Sequence, residues 1–177
     1  MHKTVTVILL FMLTVWASAD QTIPLTQTIA PAQWSFGNGG EFPGAKGGID
    51  CSDKAVSLNY NFEAGGSYVC AQYNGIFPPS MQAFRVKLSP NKKCVLSCRI
   101  TDANGRVFQG DYRILEPTAQ ILELPCHGHW TSSWNGTQEY NEPVEPFQSL
   151  WILVNASNEM AKSGRVVISE LTAISSS

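Results

Sequence analysis

The sequence predicts an all-β fold, a single antiparallel β-sandwich of jelly-roll type. Apolar residues recur at period two from one end of the chain to the other, and no stretch holds a helical period. Short alternating runs are separated by turn residues, the pattern of sandwiches and jelly rolls.

The first nineteen residues stand apart from that pattern. Lys3 supplies a positive start, Val5 to Trp16 form an apolar run of about a dozen residues, and Ala17-Ser18-Ala19 reads as a small-residue cleavage site. The run is shorter than the roughly 20 apolar residues of a membrane span. A signal peptide is therefore expected over 1–19, an irregular lead over 20–31, and the sandwich domain over 32–174. Export to the extracellular space or the periplasm follows as an expectation.

Ala55 to Phe62 alternates with Val56, Leu58, Tyr60 and Phe62 on one face and polar side chains on the other. Gly65-Gly66 punctuates, and Ser67 to Tyr73 returns. Phe84 to Leu88 alternates, the Pro90-Asn91 turn follows, and Cys94 to Thr101 forms the next strand. Asn104-Gly105 supplies the positive φ values that a tight hairpin demands, so Arg106 to Leu115 is the expected partner. Ala119 to Leu124, Phe147 to Asn155 and Arg165 to Ile174 complete the set. Gly128 to Pro146, with two prolines and little alternation, reads as a long loop, and long loops in compact domains are often functional.

Composition narrows the chemistry. A formal net charge of −2 and a charged fraction of 15% leave no basic stripe for nucleic acid. Many Asn, Gln, Ser, Thr, Trp and Tyr residues suit a neutral, hydroxyl-rich ligand. Five cysteines follow the leader, an odd number, so at least one has no partner within the chain. Cys94 and Cys98 share a strand face roughly 13 Å apart, beyond the ~7 Å reach of a disulfide. Cys98 is read as a buried core thiol, and Cys51 with Cys70 as the first candidates for a bridge.

Catalytic patterns find no support. No serine sits in a Gly-x-Ser-x-Gly elbow, and the acids Asp111, Glu123, Glu139 and Glu142 show no spacing that singles out a glycosidase pair. In Cys126-His127-Gly128-His129 both imidazoles could reach one metal ion, but spacing marks no third ligand. The aromatic residues are the stronger signal, because flat rings pack on the C–H faces of sugars while polar side chains satisfy the hydroxyls. Trp130, Trp134 and Tyr140 lie in the polar loop, Tyr73 ends a strand, and Arg99, Gln109 and Asp111 occupy polar faces. These seven are the candidate carbohydrate-binding residues. Trp34 and Trp151 lie in apolar segments and are expected in the core. Asn135-Gly136-Thr137 and Asn155-Ala156-Ser157 fit the N-glycosylation pattern, the first in the expected surface loop.

The run Trp34-Ser-Phe-Gly-Asn-Gly-Gly-Glu-Phe-Pro-Gly-Ala-Lys-Gly-Gly48, with Leu58 to Val69, Asp102 to Gln109, His129 to Gly136 and Pro146 to Val154, resembles the galactose-binding-like jelly-roll domains of secreted bacterial polysaccharide-processing proteins. The resemblance implies a non-catalytic carbohydrate-binding module, free-standing or associated with a catalytic domain or enzyme. It also implies a structural Ca²⁺, for which Glu170 is the candidate ligand and Asp50 and Glu63 the other acids to inspect. A catalytic jelly-roll hydrolase or lyase, and a structural or adhesion domain contacting another protein, are the alternatives.

Overall fold

The computed structural model describes residues 20–27, 29–136 and 141–176, so the expected leader over 1–19 and the candidate Tyr140 lie outside the described residues. Thirteen strands make up the described chain: β1 (Gln21–Pro24), β2 (Trp34–Gly37), β3 (Lys46–Cys51), β4 (Val56–Asn61), β5 (Tyr68–Tyr73), β6 (Met81–Pro90), β7 (Cys94–Thr101), β8 (Arg106–Gly110), β9 (Arg113–Leu115), β10 (Gln120–Pro125), β11 (Trp130–Asn135), β12 (Ser149–Asn155) and β13 (Ser163–Ser175). They form two antiparallel sheets packed as a jelly-roll sandwich. The first runs β10-β6-β13-β4-β3, with β1 also on β13; the second runs β11-β8-β7-β12-β5-β2, with β9 also on β7.

Side-chain alternation decides what fills the space between them. Val56, Leu58 and Tyr60 of β4, Phe84, Val86 and Leu88 of β6, and Val166 and Ile168 of β13 meet Val69 and Ala71 of β5, Leu96, Cys98 and Ile100 of β7, and Leu150, Ile152 and Val154 of β12 in one core. The long strand β13 would lose this alignment over its thirteen residues, but a bulge between Ile168 and Glu170 resets the parity. Leu171 and Ala173 therefore face inward again.

Several boundaries differ from the sequence reading. The lead over 20–31 contains β1, which pairs with Thr172 to Ser175 of β13. The expected loop contains β11, paired with β8. The single strand expected over Arg106 to Leu115 is two: β8 leaves β7 at Gly110, and β9 rejoins β7 opposite Cys94 to Leu96.

Two carboxylates, one of them buried, fasten the polar segment before β12. Asp102 is fully buried, and one carboxylate oxygen accepts the backbone N–H groups of Asn104 and Arg106 at 2.9 Å each, the other that of Val144 at 3.2 Å. Glu145 accepts the N–H groups of Ser80 and Met81, both at 2.7 Å.

All five cysteines are free thiols. The expected Cys51–Cys70 bridge does not form: Cys51 ends β3 in the first sheet, and Cys70 sits on β5 in the second. Cys98 is a core thiol, as read. Burial pushes Cys70 and Cys94 up to about 11 and Cys98 to about 12. Burial raises Cys126 as well.

In native protein at pH 8, a thiol reagent should label half-buried Cys51 first, with the other four reacting only in denaturant; rapid native labelling of Cys94 or Cys98 would contradict the packing. An unfolded thiol ionises near 8.5, so the thiols' contribution to stability is intact below that pH and is lost as pH rises toward 11 to 12. Asp102→Ala should lower unfolding free energy by about 2–4 kcal/mol in urea melts, because buried N–H groups lose a charged acceptor.

Candidate functional site

The outer face of the second sheet carries the site. Ladder registry places Gln72 opposite Trp151, Trp151 opposite Arg99, Arg99 opposite Gln109, and Gln109 opposite Ser132, one row across the sheet. Beside it, Ser149, Thr101, Val107 and Trp134 form a second row. Outward-facing residues usually meet water, yet Cys70 and Leu153 are buried here, packed with Tyr68 and Trp151 in a small apolar cluster separate from the core. The middle of this sheet is thus covered on both faces.

Arg99 stands at the centre. Its guanidinium carbon lies 4.5 Å from the ring centroid of Tyr68, 5.0 Å from Trp134 and 6.0 Å from Trp151. Such contacts contribute about 0.5–2 kcal/mol each, more as water is excluded. Arg99 Nε donates to Gln109 Oε1 at 2.8 Å, and Gln109 Nε2 donates to the Tyr112 hydroxyl at 3.1 Å. On the other side the Tyr68 hydroxyl donates to Glu41 Oε1 at 2.8 Å. Trp151 Nε1 donates to Ser149 Oγ at 2.8 Å, which in turn donates to Thr101 Oγ1 at 2.9 Å. Each polar group around the rings therefore has a fixed direction.

Two adjoining basins lie over these residues, about 730 Å³ and about 650 Å³. Phe42, Tyr68, Arg99 and Trp134 line both, so the two read as one elongated cleft. Gln72, Asn74, Gln148 and Trp151 extend it one way, and Gln109, Tyr112 and Asn155 the other. Its rims carry two exposed aromatic rings, Phe42 at 49% and Tyr112 at 63%.

Electrostatics in the cleft centres on one cation and one anion. A hydrogen bond from its own backbone amide, then the Tyr68 hydroxyl, holds Glu41 below the ordinary carboxylate value, with Arg99 adding a smaller pull. Burial chiefly raises Tyr68, and its bond to Glu41 adds to this. Among the described residues Glu41 is the only carboxylate lining either basin.

Of the seven expected site residues, Arg99, Gln109 and Trp134 meet in this cleft. Tyr73 does not: it is 1% exposed, faces the core, packs against Trp34 at 5.3 Å and Phe77 at 5.5 Å, and donates its hydroxyl to Leu25 O. Its neighbour Gln72 takes the outward position. Trp130 also turns inward, because a bulge between Trp130 and Ser132 changes the parity of β11. It packs on Phe108 at 6.0 Å and donates Nε1 to the Cys126 carbonyl at 2.9 Å. Asp111 lies with His129 and Trp130 at a separate small cavity of about 50 Å³. Trp34 is in the core as expected, whereas Trp151 is not; it forms part of the cleft.

The expected cation site does not fit the residues present. Glu170 is exposed on the outer face of the first sheet, paired with Lys87 at 2.8 Å. Asp50 accepts a hydrogen bond from Asn59 on β4, and among the described residues no three His, Cys, Asp or Glu side chains gather as a metal site. His127 instead lies 3.6 Å from Glu142, whose carboxylate accepts the Gly128 N–H.

Glu41, Phe42, Tyr68, Tyr112 and Trp151 escaped the sequence reading. The Glu41-Phe42 pair sits in a glycine-rich run without alternation, and only an aromatic beside an acid in such a run could have flagged it. Tyr73→Phe should cost about 1 kcal/mol of stability through the lost Leu25 bond, leaving the emission of the cleft tryptophans unchanged; a changed spectrum with unchanged stability would return Tyr73 to the cleft.

No protein-family model matches the sequence, and no curated protein matches it. Solved structures do match in shape. A family 11 carbohydrate-binding module from Clostridium thermocellum, in complex with a β-1,3-1,4-mixed-linked tetrasaccharide, aligns with a TM-score of 0.61 at 13% identity, over 90% of this chain and 98% of that one. A family 29 module complexed with mannohexaose aligns with a TM-score of 0.51 at 11% identity, over 90% and 93%. The agarase AgWH50C aligns with a TM-score of 0.56 at 12% identity over 88% of this chain, which spans only 25% of the agarase. The chain has the β-sandwich fold that these modules and this agarase share.

Proposed function

We propose that the protein is an exported, non-catalytic carbohydrate-binding sandwich that holds a neutral poly- or oligosaccharide in the cleft of its second sheet. The observation that carries this reading is the set of aromatic rings, Tyr68, Trp134 and Trp151, fixed around Arg99 on the floor of an open, elongated cleft. Trp134 and Trp151, only partly buried, offer apolar faces to sugar C–H groups, buried Tyr68 backs them, and the amides of Gln72, Asn74 and Gln148 along the same cleft supply donors and acceptors for hydroxyls. The shape likeness to modules crystallised with a mixed-linked tetrasaccharide and with mannohexaose supports the same ligand class.

Export rests on the n-region, apolar run and cleavage site over 1–19. Among the described residues no helix is long and apolar enough to cross a membrane. Attachment to, or association with, a catalytic domain fits the agarase likeness, in which a domain of this shape occupies part of a longer chain.

A glycan array followed by titration calorimetry tests the reading. Trp134→Ala should weaken binding at least tenfold, about 1.4 kcal/mol, with thermal stability within a few degrees of the parent. Undiminished binding by both Trp134→Ala and Trp151→Ala would remove the cleft as the site.

A further inference from the structure

The turn between β2 and β3 contributes more to the cleft than its glycine-rich sequence suggests. Phe42 N–H donates to Gly39 O at 2.7 Å, closing a tight turn that carries Glu41 and Phe42 side by side. Gly39 adopts φ +57°, and a Cβ there would lie 2.9 Å from the Tyr68 ring. Gly44 adopts φ +122°, and a Cβ there would lie 2.3 Å from Ala64 O. The turn is thus pressed against its surroundings at both ends, and the Tyr68–Glu41 hydrogen bond fastens its middle.

Resting on the glycan reading above, we infer that this turn is a specificity clamp for a neutral sugar bearing free hydroxyls, with Glu41 accepting the hydroxyls and Phe42 covering the adjoining ring face. A carboxylate has about four acceptor positions; Tyr68 occupies one at Oε1 and the residue's own backbone N–H another, which leaves about two for a ligand. Glu41 lines the larger basin beside Arg99, and Phe42 lines both basins with its ring half exposed. Charge selects the ligand class. An anionic sugar that approached Arg99 would meet Glu41 beyond the same tyrosine ring, and a cationic one that approached Glu41 would meet Arg99. A hydroxyl-rich neutral chain satisfies both, accepting from the guanidinium and donating to the carboxylate.

The clamp also imposes a pH dependence. The groups facing Glu41 are Tyr68 and Cys70 from β5 and Arg99 from β7. Between pH 3 and 7 a phenol and a buried thiol stay neutral and a guanidinium stays charged, so Glu41 is the group of the four that titrates. Protonation exchanges an acceptor for a donor, so affinity is full above the ordinary carboxylate range. It falls as pH drops through the lowered value of Glu41.

The experiment is calorimetric titration of wild type, Glu41→Gln, Phe42→Ala and Trp134→Ala with mannohexaose, the mixed-linked β-1,3-1,4 tetrasaccharide and a per-O-methylated mannohexaose, at pH 3 to 7. Circular dichroism checks that each variant is folded. Expected are a loss of tenfold or more in Glu41→Gln at pH 7, a flat pH profile for that variant, a severalfold loss in Phe42→Ala, and little binding of the methylated probe by wild type. Glu41→Gln binding with the affinity and pH profile of wild type, while Trp134→Ala fails to bind, would overturn the clamp and leave the glycan reading standing. Equal binding of methylated and free mannohexaose would also overturn it. Wild type binding neither free probe, nor any neutral glycan on an array, would overturn both.

Discussion

The position of Arg99 constrains everything on the outer face of the second sheet. A long cationic side chain on a central strand ordinarily extends to water. Here three aromatic rings and the Gln109 amide hold it down within the sheet surface. That arrangement fixes the rings as much as it fixes the arginine. Tyr68 is turned so that its hydroxyl reaches Glu41, and Gln109 is turned so that its amide reaches Tyr112. Residues from β5, β8, β11 and β12 are thereby oriented by one guanidinium on β7. A surface prepared in this way loses little side-chain freedom when a ligand settles on it, which is the principal means by which a rigid site gains affinity.

The sandwich was legible wherever one face of a strand is dry and the other wet. β4 shows this cleanly, and the observed limits of β7, Cys94 to Thr101, match those expected although Ser97 on its outer face is buried. Legibility fails where that contrast fades. β12 reads Ser-Leu-Trp-Ile-Leu-Val because both of its faces are covered, and a continuous apolar run does not say which side Trp151 takes. The same ambiguity affects β5, where Tyr68 and Tyr73 occupy opposite faces of one apolar strand. β3 was overlooked because Lys46-Gly-Gly-Ile-Asp-Cys has little strand propensity of its own; pairing with β4 supplies what the sequence lacks.

Bulges account for the remaining discrepancies in the site. Trp130 and Trp134 are four residues apart and would share a face on a regular strand, yet the irregularity at Trp130/Ser132 turns one, partly buried, against the core and the other to the cleft. Local sequence carries no mark of that extra residue. Glu170, the cation ligand implied by resemblance, is instead paired with Lys87, adjacent on β6. Such a pairing becomes visible only when strand order is known.

Strand order has one more implication. β13 lies between β6 and β4, joins β1 as well, and is the latest of the described strands along the chain. Until residues 163–175 are present, β6 and β4 each display an unpaired edge, and the first sheet has no middle. Assembly must therefore wait for contacts spanning most of the polypeptide, a topology associated with slow folding. Partial chains produced by truncation or nicking ahead of Ser163 are expected to be sticky fragments rather than smaller versions of the sandwich.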